Sequence, residues 1–221
     1  MSAPPDLRAA AGFVEPAIHE EFPGLRLDWL TVPARLRDSP RVVKHRLRAL
    51  ANRYRGAEVV AMRTKPIPLA YRTFFRQIGL DPDTSRVPSE RAAVARLLHG
   101  GFRSIDLVQD ALLIAVVETG VPVWALDAAH VHVGGLGIRT TTERDVLGTG
   151  EHAAPLPSGN LAVADDAAVH SLLFEDVAPA HAVRGATERI ALYSVAVDGV
   201  PAIHVEESLW LCADMLRTGA R

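Results

Sequence analysis

The side chains able to do chemistry are scattered along this chain, and most fail on spacing. His130-x-His132 sets two imidazoles on one face of an extended segment, a separation that metals can use. No third ligand follows at a convincing distance, so they read as surface or structural histidines, and neither a metal nor a cofactor is expected. Gly134-Gly135-Leu136-Gly137 leads into a strand, whereas a nucleotide fingerprint opens a helix. Ser89, in Pro-Ser-Glu, lacks the strand-to-helix setting of a nucleophile elbow, and no His or Asp partner can be assigned to it. Cys212 sits in the apolar run LWLCADML and reads as a small core residue. Asp110 and Asp127 occupy helix and turn positions, where capping competes with catalysis.

Charge is the broader signal. The net charge of −2 hides a basic segment between Arg35 and Arg76, with 12 Lys or Arg against only Asp38 and Glu58. A basic face on an acidic body is the electrostatic footprint of a polyanion partner. The same arginines also fit the solvated side of an ordinary helix, and both readings stand at this point.

These residues need a scaffold. At 221 residues and 48% hydrophobic content, the chain can bury a core without metal or disulfide support. A single cysteine excludes an internal disulfide framework and fits a reducing cytoplasm. The Pro/Ala-rich residues 1–12 are expected to be disordered and to lack a targeting signature, leaving 13–221 as one domain. The longest apolar run, Ala111 to Leu126, is broken by Glu118 and Gly120 and is too short for a bilayer. A soluble, cytoplasmic protein is therefore expected.

Alternation predicts a strand over Leu25–Val32. The run RVVKHRLRALANRYR predicts an amphipathic helix over 41–55, with Asp38 or Ser39 as its cap. Val43, Leu47, Leu50 and Tyr54 share its apolar face; Arg41, Lys44, Arg48 and Arg55 lie largely opposite. Further helices are predicted over 66–78, from Pro88 to His99, and over 104–119. The last is apolar nearly all round and so belongs at the centre of the fold. After Gly120 the pattern changes to short β-rich runs (VPVWAL, HVHV, LGIRT, NLAVAD, VHSLLF, RIALYSVAV), closed by a helix over 204–217. Helices first and strands later, without βαβ alternation, give an α+β class, with N-terminal helices packed on a β-rich C-terminal half.

One stretch also resembles something known. RSIDLVQDALLIAVVETGVPVWALDAAHVHVGGLGIR, from Arg103 to Arg139, is similar to the B3/B4 domain of the phenylalanyl-tRNA synthetase beta chain, which hydrolyses wrongly charged tyrosyl-tRNA. The resemblance lies in Arg-Ser-Ile-Asp, Asp110, Glu118-x-Gly120-x-Pro122, Ala125-x-Asp127 and the Gly134-Gly135 pair ending at Arg139. YRTFFRQIGLDP followed by RVPSERAAVARLLHGG resembles the freestanding B3/B4 proteins. LPSGNLAVADD and GATERIALYS resemble later strands of the domain, so the likeness spans most of residues 20–200. No ATP-binding signature accompanies it, and no ligation chemistry is expected.

The resemblance implies a trans-acting editing-type hydrolase that cleaves the ester of a mischarged tRNA. Thr187, Asp110, Asp127 and Arg139 match the family pattern. Three positions depart from it: Leu113 replaces an asparagine of the central helix, Trp124 replaces a histidine, and Tyr193 aligns with the glutamate that recognises the tyrosine hydroxyl. A site that loses such polar groups loses its discrimination for the hydroxyl, so a smaller or more apolar aminoacyl group is expected. Thr187 is the candidate at the reacting centre. Leu113, Trp124, Tyr193, Asp110 and Asp127 are the candidate pocket, and Arg41, Lys44, Arg48, Arg55, Arg72, Arg86 and Arg139 the candidate RNA contacts. The partners implied are tRNA and an aminoacyl group or free amino acid, with neither DNA nor membrane. The alternative is a non-catalytic module that binds tRNA or an amino acid after losing the polar site.

Overall fold

The computed structural model describes residues 8–54, 56–148 and 153–218. Its centre is an antiparallel sheet in the order β1-β3-β10-β4, formed by Ala10–Ala11, Arg26–Pro33, Arg189–Ala196 and Trp124–Asp127. Strands β3 and β10 pair along their whole length, from Arg189 opposite Pro33 to Ala196 opposite Arg26. The two halves of the chain therefore share one sheet, a departure from helices packed on a separate β-rich half. Strand β1 also corrects the expected disorder through residue 12: Ala10 and Ala11 pair with Trp29 and Asp28. Residues 1–7 lie outside the described residues.

Strand β10 is buried at every position after Arg189 because it has a layer on each side. Ile190 and Leu192 face a cluster with the helices α2 (Arg41–Arg53), α6 (Leu107–Thr119) and α7 (Ala202–Thr218). Ala191, Tyr193 and Val195, one residue out of phase, face a second cluster with Tyr71, Phe74, Leu136 and Ile138. That side is closed by α4 (Pro66–Gln77) and by a second sheet. The second sheet runs β2-β5-β8-β9-β6-β7, from Phe13–Val14, Gly137–Thr140, Leu161–Ala164, Val169–Leu172, Val146–Leu147 and Ala154–Pro155. A Cβ on Gly137 would lie 2.3 Å from the Phe13 carbonyl oxygen, so only glycine lets β2 lie against β5.

Helix α6 is central, as its unbroken apolar character requires. Asp106 caps its start by accepting from the Gln109 amide at 2.8 Å, and Gly120 ends it at φ 79°. Helix α2 buries Val43, Leu47, Leu50 and Ala51. Its expected cap is absent: Pro40 holds the N-cap position, and Ser39 donates instead to Asp110 Oδ2 at 2.5 Å. Two short helices, α1 (Pro16–Glu21) and α3 (Gly56–Met62), escaped the sequence pattern, being too short to show a full apolar stripe. Helix α5 (Pro88–Leu98) begins at its proline, as expected. The strand expected at HVHV is two 3₁₀ turns, Ala128–His130 and Val133–Gly135. Carboxylates bend the chain there: Asp127 accepts from the Ala129 amide at 3.0 Å, and Asp165 from the His132 amide at 2.7 Å. Among the described residues, no helix is long and apolar enough to cross a membrane.

Candidate functional site

Thr187 follows a tight turn, and its hydroxyl is committed on both sides. It donates to Asp127 Oδ2 at 2.7 Å and accepts from the Arg184 amide at 3.0 Å. Thr187 is 2% exposed. Asp127, at the end of β4, also accepts from Ala129, and its own amide donates to the His181 carbonyl at 2.9 Å. Burial pushes the Asp127 carboxyl up, but the bonds from Thr187 and Ala129 and the neighbouring His130 outweigh it and hold it below the usual range. The pair pins the 181–187 loop to β4, and the Thr187 hydroxyl does not face an open site.

Asp110 is likewise internal. It accepts from the hydroxyls of Ser39 and Ser104, both at 2.5 Å, and from the Ile105 amide at 3.0 Å. These bonds tie the approaches to α2 and α6 together, and Asp110 is not a pocket wall. Leu113 packs against the helical cluster, and its neighbour Leu112 takes the position facing the cleft described below.

Tyr193 is 1% exposed and hydrogen-bonds Ser171 Oγ at 3.0 Å; burial pushes its phenol well above the ordinary range. Trp124 stacks on it face to face, with centroids 5.4 Å apart and an angle of 11° between the planes. Phe174 closes the cluster at 6.0 Å from Trp124. The phenol therefore backs the indole, and Trp124 alone of the two meets open space.

That space is a cleft of about 370 Å³, within the range of small-ligand sites. Leu36, Val108, Leu112, Trp124, Val177 and Val183 are its apolar walls; Asp106, Gln109 and Asp176 are its polar groups. Asp176 is exposed and takes no hydrogen bond or ion pair among the described residues. Nothing in the sequence singled it out, since one acid in a loop carries no pattern.

The seven candidate RNA contacts separate. Arg41 and Arg48 are exposed on α2, with Lys44 half-buried between them. At 100° per residue they share a stripe about 60° wide and roughly 10 Å long, on the side away from the buried Val43, Leu47 and Leu50. None of the three forms an ion pair among the described residues. Arg55 lies outside the described residues. Arg86 is exposed but lines a separate groove with Phe75, Arg91 and Glu175.

Arg72 and Arg139 must be withdrawn from the RNA surface. Arg72 is 5% exposed and binds Glu90 at 3.0 Å and Asp83 at 2.8 Å, joining α4 to α5. Arg139 forms a bidentate pair with Asp145 at 2.7 and 2.8 Å. Its guanidinium holds the Asp145 carboxyl far below the usual carboxylate range. Elsewhere in the basic segment, Arg35 pairs with Glu188, Arg46 with Glu118, Arg63 with Asp83 and Lys65 with Glu58. The charge asymmetry of the sequence thus narrows to the outer face of α2 and its approaches, with Arg76 exposed separately on α4.

His130 and His132 each take a separate carboxylate, Asp127 at 3.5 Å and Asp166 at 3.0 Å. Among the described residues, no three His, Cys, Asp or Glu side chains are grouped to hold a metal ion. Ser89 is buried in the first turn of α5, and Cys212 is buried at the contact of α7 with α6, its thiol 3.5 Å from the Ala111 carbonyl oxygen. No protein-family model matches this chain, and no curated protein does.

Proposed function

We propose that the chain is a trans-acting, editing-type hydrolase of aminoacyl-tRNA, with the cleft beside Trp124 as the aminoacyl pocket. The observation that carries this reading is the juxtaposition of that cleft with the basic stripe. Leu36 walls the cleft, the carbonyl of the next residue, Arg37, accepts from the Leu107 amide at 2.8 Å, and α2 begins four residues later. A polyanion lying along Arg41, Lys44 and Arg48 would thus have its end near an apolar cavity.

The cavity suits an apolar aminoacyl group. Its walls are mostly apolar, and Asp106 and Asp176 complement an α-ammonium group. Hydrolysis of an aminoacyl ester demands little, because the ester is already activated and positioning alone supplies several kcal/mol, up to about 7–11 in ideal cases. The sequence resemblance to the B3/B4 domain supports the same chemistry. A second reading, binding of the charged tRNA end without cleavage, is favoured by one observation: the Thr187 hydroxyl is fully engaged inside the fold.

A panel of purified charged tRNAs tests both. The hydrolase reading expects deacylation of apolar aminoacyl esters ahead of tyrosyl ester. Salt-sensitive binding of charged tRNA with no cleavage of any ester leaves the binding module, and absence of binding at low salt removes both.

A further inference from the structure

The pairing of the central sheet decides which main-chain groups of β4 face the cleft. In an antiparallel sheet, successive residues turn their N–H and C=O groups alternately to one side of the strand and then the other. The Gly12 amide donates to the Leu27 carbonyl at 2.8 Å, on the β1 side of β3, and the Ala34 amide to the Glu188 carbonyl at 3.1 Å, on the β10 side. Asp28, Leu30 and Val32 therefore turn their polar groups towards β10, where they oppose Ser194, Leu192 and Ile190. The alternate residues of β10, Ala191 and Tyr193, are left to bond to β4.

Their partners there are Leu126 and Trp124. Ala125 and Asp127, one residue out of phase, direct their N–H groups away from the sheet. Asp127 fixes that phase, since its amide reaches outwards to the His181 carbonyl at 2.9 Å. The 181–187 loop meets β4 again at the bridge between Leu126 and Ala182, then leaves it for the turn in which the Thr187 amide donates to the Arg184 carbonyl. Among the described residues, nothing beyond that bridge accepts from the Ala125 amide. Ala125 is 9% exposed and lines the cleft with Trp124, Ala182 and Val183. An amide withdrawn from water without a partner is costly and rare, and this one borders a cavity.

We infer that the Ala125 N–H is the donor that binds the ester carbonyl oxygen in the cleft and stabilises the oxyanion formed during cleavage. The inference rests on the hydrolase reading above and supplies stabilisation that the committed Thr187 hydroxyl cannot. Orientation follows from charge. The charged side chains lining the cleft, Asp106 and Asp176, are both acids, so they attract the α-ammonium group and repel the carbonyl oxygen, which turns to the edge of β4. The substrate class is thus an α-aminoacyl ester with a free amine.

In the reaction, a water oxygen bonds to the ester carbonyl carbon as the carbonyl π pair moves onto the oxygen held by Ala125, and the water's proton passes to solvent. The tetrahedral intermediate then breaks its bond to the ribose oxygen, which takes a proton from solvent. The products are a free amino acid and a tRNA with its terminal hydroxyl restored. A backbone donor fixed by the sheet needs no reorganisation as the negative charge develops.

Amide NMR of the intact protein tests the open edge without any turnover. In the free protein the Ala125 amide should exchange with solvent much faster than those of Trp124 and Leu126, which belong to the ladder. Bound 3′-leucylamino-3′-deoxyadenosine, an amide-linked copy of the charged tRNA end, should move the Ala125 amide proton downfield. Equal protection of the three amides, or no shift at saturation, overturns the assignment. Deacylation then tests the role. Placing lactic acid at position 125 exchanges this amide for an ester, which removes the N–H and keeps the methyl group. Single-turnover cleavage of leucyl-tRNA should slow on the order of 100-fold with tRNA binding retained. Cleavage at the wild-type rate by that folded protein overturns the role of Ala125 alone. Failure of the wild type to cleave any charged tRNA, with the Ala125 proton still shifting on binding, overturns the hydrolase reading and the oxyanion role with it.

Discussion

The two polar regions of this molecule are built in opposite ways. Around Thr187, Asp127 and Asp110, hydroxyls, carboxylates and nearby amides are matched to one another inside the fold. At the cleft beside Trp124 and along the outer face of α2, Asp176, Arg41, Lys44 and Arg48 have no ion-pair partner among the described residues. A matched buried group stabilises the fold and resists recruitment, since breaking its bonds strands a desolvated partner. An unmatched group at an opening is available to a ligand. Residue type marked both regions in the sequence; burial and partners separate them.

Substitutions should break the contrast in a graded way. The largest effect is expected at Arg72, whose removal leaves Glu90, 3% exposed, without its main counterion. Arg72→Ala should destabilise the protein by about 3–5 kcal/mol in urea unfolding. Phe174 has φ 66° and packs against Tyr71, Phe74, Phe75 and Trp124. Phe174→Ala should cost roughly 3–5 kcal/mol and loosen the seat of Trp124. Thr187→Val removes a matched hydroxyl from beside Asp127, and about 1–3 kcal/mol should be lost with tRNA affinity kept.

The open region should respond the other way. Reversing Arg41, Lys44 and Arg48 to Glu together should leave the urea midpoint nearly unchanged. It should abolish tRNA binding at moderate salt, and replacement of all three by Gln should lower the logarithmic salt slope by about 2–3. The smallest effect is the pH dependence of stability. The folded-state pKa values of His170 and His181 are depressed, so the unfolded chain binds protons first as pH falls. Stability should be fully present above about 6.5 and decline as pH drops towards the folded-state values. A flat profile between pH 7 and 5 would remove the buried neutral pair.

Much of the scaffold was legible in the sequence because its signals are local. The apolar girth of α6, the stripe of α2 and the prolines opening α4 and α5 all depend on neighbours within a few residues. The failures share a cause at longer range. HVHV has strand-like alternation, but Asp127 and Asp165 bind amides of that segment and curl it. Arg72 and Arg139 carry the same charge as Arg41 and Arg48, and only the packing of α4 on α5 and the turn at Asp145 commits them internally. The His170–His181 contact joins residues 11 apart that belong to no spacing pattern. Trp124 was legible as a wall, whereas Tyr193 behind it was not distinguishable until the two rings were stacked.

The cleft itself can be tested by filling it. Ala182 lines the cavity and its backbone bridges to Leu126, so Ala182→Trp places an indole in the space assigned to the aminoacyl group while leaving that bridge in place. In single-turnover deacylation of an apolar aminoacyl-tRNA, the variant should lose cleavage while binding uncharged tRNA as the wild type does. Unchanged cleavage by a correctly folded Ala182→Trp protein would contradict the assignment of the pocket.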